Sequence, residues 1–299
     1  MILEMKNQRL AVRVSDRGAE LQSLYSLPEE KEYIWQPGAE IFDGHAPILF
    51  PAAGRIDRSR VFIRGREYPM SMHGFVKDRT FSVMRVEPDS LLLELASDPE
   101  LRRVFPYAFR LQVEYRLHPD RLEQTFRVYN DGEDDLFFSL GAHPAFYCPV
   151  TLGESADDTV IRFDKPQHTY RIGLEPGTRL CTKERYPWLQ GETDIPLTEH
   201  FFDDGPILSG GYDAEHVTLL SRRSGAGIRM GIRDFPYMTF WGPPQRLSLI
   251  CLEPWCGLSD FAGGGHVWER KIASNRLEPR GIFIRNLTFS PVSEAAAPV

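Results

Sequence analysis

The sequence predicts an antiparallel all-β fold, two stacked sheets built from hairpins. Three observations carry this. Apolar and polar residues alternate with period two along most of the chain, and turn dipeptides separate the alternating runs. No segment longer than about twelve residues shows the ~3.6-residue period of a helix, so parallel strands joined by crossover helices are not expected.

Taken in order, Leu10, Val12 and Val14 alternate with Ala11, Arg13 and Ser15, and Gly18 turns the chain toward Leu21 and Leu24. Ser82–Glu87 and Leu91–Ala96 read as a hairpin. In Phe109–Leu117 the apolar residues Phe109, Leu111, Val113, Tyr115 and Leu117 share one face, and the polar partners share the other. Pro119-Asp120 turns this strand into Leu122–Asn130, and Asp131-Gly132 turns the chain again. Val217–Ser221 with Ile228–Arg233, and Ile282–Phe289, repeat the pattern. Leu136–Leu140 and Leu247–Leu252 are near-continuous apolar runs and read as buried strands. Two short helical turns are expected, one capped by Asp98 and reaching Val104, the other at Thr198–Phe202.

The 299 residues, 42% of them hydrophobic, are enough for one large core. They are read as a single domain over 1–290, followed by a loose tail over 291–299. The net charge of −7 and the lack of a Lys/Arg block exclude a duplex-binding surface, so no nucleic-acid partner is expected. No leader with an apolar centre and no run near ~18 apolar residues is visible, which predicts a cytoplasmic protein with no membrane partner. Cys148, Cys181, Cys251 and Cys256 fit no zinc spacing, and no metal or organic cofactor is expected.

Chemically capable residues gather where the alternation fails. In Leu247–Gly257, Glu253 is expected at the end of the buried run, between Leu252 and Pro254, where apolar surroundings desolvate a carboxylate. His143, in Gly141–Pro149, follows another apolar run and precedes Pro144. Arg55 closes the irregular Pro47–Arg55 stretch, and His73 stands beside Gly74 in Met72–Arg79. Trp241 ends the aromatic segment Phe235–Trp241 and offers a stacking surface for a sugar ring. Asp203 and Asp204 lie in Phe201–Leu208. A carboxylate, imidazoles and an arginine, without a nucleophile elbow, phosphate loop or metal-spaced histidines, suit proton transfer on a neutral, hydroxyl-rich substrate.

Four of these motifs, PILFPAAGR at 47–55, HGF at 73–75, GAHPAF at 141–146 and CLEPW at 251–255, stand in the order found in the aldose 1-epimerase (mutarotase) family. The chain resembles its LacX-like branch most. The resemblance implies a β-supersandwich and interconversion of the α and β anomers of a sugar without a cofactor. By position it implies that Glu253 is the base, His143 the acid, and Arg55 and His73 substrate-binding residues. For the family's substrate-binding aspartate, Asp204 is the first match and Asp213 the second. The implied partner is a small-molecule sugar, bound by a monomer or homodimer. The alternatives are a non-catalytic carbohydrate-binding or regulatory module and an epimerase of hexose 6-phosphates, which needs clustered basic groups such as Arg55, Arg58, Arg60 and Lys77. A retaining glycosidase needs two well-placed carboxylates, and only Glu253 is strongly placed.

Overall fold

A computed structural model describes residues 1–38 and 41–293. Strands dominate it, and its helices are single 3₁₀ turns. The hairpins read from the sequence form as expected, because each is a local pairing of adjacent amphipathic runs. Phe109–Leu117 pairs antiparallel with Leu122–Asn130, and Ser82–Glu87 pairs with Ser90–Ala96. Asp98 Oδ1 accepts the Leu101 N–H at 2.6 Å and starts the turn at Leu101–Arg103. Thr198–Phe202 is a plain turn, in which the Phe201 N–H reaches the Thr198 carbonyl. The last strand, Ile282–Val292, runs past the end of its alternation at Phe289. The remainder of the expected tail, 294–299, lies outside the described residues.

The N-terminal strands form a four-stranded sheet of their own. Among the described residues a second sheet has fifteen strands, thirteen of them in one continuous hydrogen-bonded path from Ile48–Leu49 at one end to Ser82–Glu87 at the other, with Ala145–Tyr147 and Cys181–Pro196 paired to its side. This sheet folds back on itself. Phe50, beside one end of the path, packs on Phe109 near the other, with ring centroids 5.1 Å apart. Phe146 and Phe289 also meet across the fold, at 6.4 Å. The two expected layers are thus largely two halves of one strongly curved sheet, with the main apolar core between them.

Two strand boundaries differ from the sequence reading, and both matter for the cavity. Leu136–Leu140 is not one strand. Leu136–Phe138 pairs with Asn275–Leu277, whereas Leu140–Ala142 enters the large sheet between Ile48–Leu49 and Leu249–Cys256. Nor does Glu253 end its strand, for Leu249–Cys256 continues through Pro254 with all eight residues buried. The break lies in the neighbours. Leu140–Ala142 pairs with Trp255 and Cys256, and Ala145–Tyr147 pairs with Leu249 to Cys251. His143 and Pro144 fall in the gap between those two short strands, opposite Leu252–Pro254, where only the Leu252 N–H reaches across to the Pro144 carbonyl. The proline is tolerated because the ladder on that side is already interrupted.

Candidate active site

Period two decides which side chains of Leu249–Cys256 meet the cavity. Ile250, Leu252 and Cys256 enter the main core. Leu249, Cys251 and Trp255 belong to separate apolar clusters on the opposite face, which also carries Glu253. Next door, Tyr237–Trp241 places Thr239 opposite Glu253 and Trp241 opposite Cys251. On the other flank Gly141 faces Trp255, and a Cβ there would lie 2.7 Å from the indole, so the glycine lets the ring lie against the sheet.

The result is a cavity of about 900 Å³, with Glu253, His143, Thr239 and Trp255 among its lining and Arg55, His73, Phe42 and Trp241 around them. Five residues singled out in the sequence, spread from 55 to 253, therefore converge on one place. Glu253 Oε2 and His143 Nε2 are 3.3 Å apart, and the residues are only 2% and 8% exposed. The approach is close without a well-directed hydrogen bond, and among the described residues Glu253 Oε2 and His143 Nδ1 both lack a hydrogen-bond partner. Burial pushes the Glu253 carboxyl well above the usual carboxylate range, with a smaller opposing pull from the neighbouring Trp255 indole N–H. Burial also pushes His143 down, to about 4. Each group is thus driven toward its neutral form, and the pair together favours holding one proton.

His143 is fixed by its backbone N–H, which donates to the Pro47 carbonyl at 3.0 Å, and by Phe42, whose ring stacks on the imidazole at 5.1 Å and 14°. His73, although it stands beside Gly74, is also firmly held. Its N–H donates to the Gly54 carbonyl (3.0 Å), and its Nδ1 accepts the Gly54 N–H (3.2 Å). That second bond assigns the Nε2–H tautomer to the neutral ring, leaving a donor for a ligand. Burial, then His143, Lys77 and Arg55, hold His73 well below its ordinary pKa. Its φ of 67° is unusual for a residue with a side chain and marks a conformation imposed by the surroundings. Arg55 is exposed, lines the cavity, and among the described residues has no carboxylate partner.

The aspartates are placed differently from the expectation. Asp204 is exposed and does not line the cavity, and its backbone carbonyl accepts from Arg179 Nη1. Asp213 is exposed and faces Lys165 Nζ at 3.2 Å, also away from the lining. In this segment Asp203 reaches the cavity, with Oδ1 accepting the Gln245 N–H (2.8 Å) and Oδ2 beside His200 Nδ1 (3.0 Å). Sequence reasoning also missed Thr239 and Phe42. The Thr239 hydroxyl is buried next to Glu253 without a partner among the described residues, yet it sits in an aromatic segment that reads as core. Phe42 gave a faint signal as an isolated aromatic between Ile41 and the Asp43-Gly44 turn dipeptide.

For a metal, the candidate donors among the described residues are His143, Cys251 and Glu253, whose ligand atoms lie within 4.8 Å of one another. His143 Nδ1 lacks the carbonyl or carboxylate partner that ordinarily orients a metal-binding imidazole. Burial and the Glu253 charge raise the Cys251 thiol well above its usual pKa, away from the thiolate a metal needs. The donor set therefore fits a resident metal poorly. Among the described residues, no helix is long and apolar enough to cross a membrane.

Comparison with known proteins agrees with this geometry. The sequence profile described as aldose 1-epimerase matches residues 1–218, which takes in Arg55, His73 and His143 and stops short of Glu253. Over 286 residues the chain is 31% identical to Protein LacX (plasmid) of Lactococcus lactis subsp. lactis, covering 93% of this chain and 95% of that one. It is similar to the solved structure of a galactose mutarotase related enzyme from Lactobacillus acidophilus, at 28% identity, a TM-score of 0.92 and 98% coverage of each chain. A galactose mutarotase-like protein from Lactobacillus casei matches at 29% identity and a TM-score of 0.90, over 97% of this chain and 100% of that one. Fold, cavity and sequence together place the chain in the aldose 1-epimerase family.

Proposed function

We propose that the protein is a cofactor-independent aldose 1-epimerase that interconverts the α and β anomers of a free aldose. The observation that carries this is the buried Glu253–His143 pair at 3.3 Å. Anomer exchange acts on two oxygens bound to one carbon, the C1 hydroxyl and the ring oxygen. A base for one and an acid for the other must therefore be neighbours. Glu253 takes the hydroxyl proton while His143 gives a proton to the ring oxygen. The C1–O5 bond opens, C1 becomes an aldehyde, rotation about C1–C2 exposes its other face, and closure reverses both transfers.

Burial supports this direction of events. Ring opening turns a carboxylate and an imidazolium into two neutral groups, the forms that desolvation favours here. The open-chain complex thus holds the pair in the neutral forms in which it rests, and one proton passes from Glu253 to His143 before ring opening begins. His73 Nε2–H, Arg55 and Thr239 are suited to hold hydroxyls, and Trp241 to cover an apolar ring face. Positioned proton transfer of this kind is worth about 10²–10⁴-fold for each group.

Polarimetry of freshly dissolved aldoses, with and without protein, tests the reading. Wild type should speed mutarotation, and Glu253→Gln should fold and lose nearly all of the acceleration. A Glu253→Gln variant with wild-type kcat would remove Glu253 as the base. A second reading, a 6-phosphate substrate, draws on Arg17, Arg55, Lys77 and Arg179 in the lining. Two of these cations already face Asp78, Arg17 at 3.2 Å and Lys77 at 3.4 Å, which leaves the free sugar favoured. A kcat/KM about tenfold higher for the 6-phosphate would reverse that preference.

A further inference from the structure

We propose that the buried Asp260–Lys271 pair, together with Ser259, is a positioning device that aims Arg55 into the cavity. The substrate-binding role of Arg55 rests on the function proposed above, whereas the device itself rests on geometry alone. Three hydrogen bonds tie the 55–57 backbone to residues 259 and 260. The Arg55 N–H donates to Ser259 Oγ at 3.0 Å, the Asp260 N–H donates to the Arg55 carbonyl at 2.8 Å, and the Asp57 N–H donates to Asp260 Oδ2 at 2.9 Å. The other carboxylate oxygen, Asp260 Oδ1, receives the Lys271 ammonium. The Lys271 and Asp260 side chains are only 5% and 8% exposed. The Asp260 carbonyl is taken by the Cys181 N–H at 2.8 Å, so the residue is fixed from a third direction.

Gly54 makes the approach possible. Its φ is +77°, and a Cβ built there would lie 2.1 Å from Ser259 Oγ. No other residue lets the serine so close to the backbone that carries Arg55.

The arrangement fits aiming better than general stability. A buried ion pair gains little net stability, since desolvation consumes most of the attraction. It does fix the direction of a carboxylate whose two oxygens are both engaged. Arg55 needs that service, because its exposed guanidinium has no carboxylate partner among the described residues to orient it. Where its side chain points is then set chiefly by where its backbone is held. Without Lys271, Asp260 would be a buried, uncompensated carboxylate that turns toward water and lets go of the Asp57 N–H.

Two measurements on the full chain test this. The first is amide hydrogen exchange at Arg55 and Asp57 in wild type and Lys271→Met. We expect exchange at these amides to quicken by about tenfold or more in the variant, beyond any change common to the whole chain. The second is steady-state polarimetry on a free aldose. Lys271→Met should raise KM by about three- to tenfold with kcat within about twofold. In an Arg55→Ala background the same substitution should add little, because the residue being aimed is gone. Ser259→Ala, a milder change that removes one acceptor, should act in the same direction should Lys271→Met fail to fold. Unchanged exchange at Arg55 and Asp57 would overturn the proposal. So would an equal KM increase with and without Arg55, since that is what a merely structural role predicts. A wild type inactive on every aldose would instead overturn the proposed function, and the exchange measurement would still decide whether the device exists.

Discussion

His143→Asn should change how folding stability depends on pH, by an amount the burial of the pair sets. An unfolded histidine titrates near 6.5, whereas burial holds His143 at about 4. Above 6.5 the residue is neutral in both states and contributes no pH dependence. Below 6.5 the unfolded chain binds a proton that the fold refuses, so stability falls until the pH reaches about 4. By pH ~4.5 this amounts to two units at ~1.4 kcal/mol each, or about 2–3 kcal/mol. Glu253 acts in the opposite sense. Its folded pKa is raised above 4.5, so its contribution is present at low pH and is lost as the pH rises toward the folded value. In wild type the two slopes oppose each other above 4.5 where both are present, and His143→Asn leaves the Glu253 slope alone. Urea unfolding of both proteins between pH ~7.5 and ~4.5, at constant m, measures this. The stability advantage of wild type over the variant should shrink by about 2–3 kcal/mol on acidification. Groups outside the pair, such as Glu114 with Arg85, Arg116 and Arg127, cancel in the difference. A difference independent of pH would refute the burial argument. One that grows toward low pH would mean that the resting pair is a carboxylate and an imidazolium.

Three further outcomes follow from the same geometry. His73→Asn should mainly raise KM and His143→Asn should mainly lower kcat, because only His143 adjoins Glu253; the reverse pattern in steady-state polarimetry would exchange their roles. Activity should survive exhaustive chelation, given the poor fit of His143, Cys251 and Glu253 to a metal, whereas inactivation by a chelator that added zinc reverses would contradict this. Gly54→Ala should cost about 1–3 kcal/mol in urea unfolding and raise KM, from the left-handed backbone and the Ser259 clash together. A variant with wild-type stability and KM would show that the approach of Ser259 is dispensable.

The sequence exposed those parts of the fold that depend on neighbours along the chain. Phe109–Leu117 and Leu122–Asn130 form with the bounds read from alternation, because hairpin register is settled by the turn and the pleat. It did not reveal that Leu136 and Leu140 enter different sheets, since both stretches are simply apolar. Nor did it reveal that Glu253 lies within its strand, because the compensating gap at His143–Pro144 lies more than a hundred residues away in sequence. The strands Thr159–Leu174 and Cys181–Pro196 escaped notice because runs of polar residues on both faces blur their alternation. Glu253, His143, His73, Arg55 and Trp241 were legible as polar or aromatic residues at breaks in the pattern, and the cavity gathers them. Thr239 and the cavity-lining Asp203 were not, because both turn on which way a side chain faces.

The bonds from Arg55 to Ser259 and from Asp57 to Asp260 span 204 and 203 residues. During synthesis, the segment bearing Arg55 leaves the ribosome long before the residues that hold it, and Glu253 arrives in that same late portion. At about 5–20 residues per second the segment bearing Arg55 waits on the order of ten seconds or more before the cavity can be complete. Until then Leu140–Ala142 lacks its Leu249–Cys256 partner, and Ile48–Leu49 is joined to the sheet only through Leu140–Ala142. Loop closure over such distances makes folding slow, and a chain cut short before residue 249 would present these edges permanently.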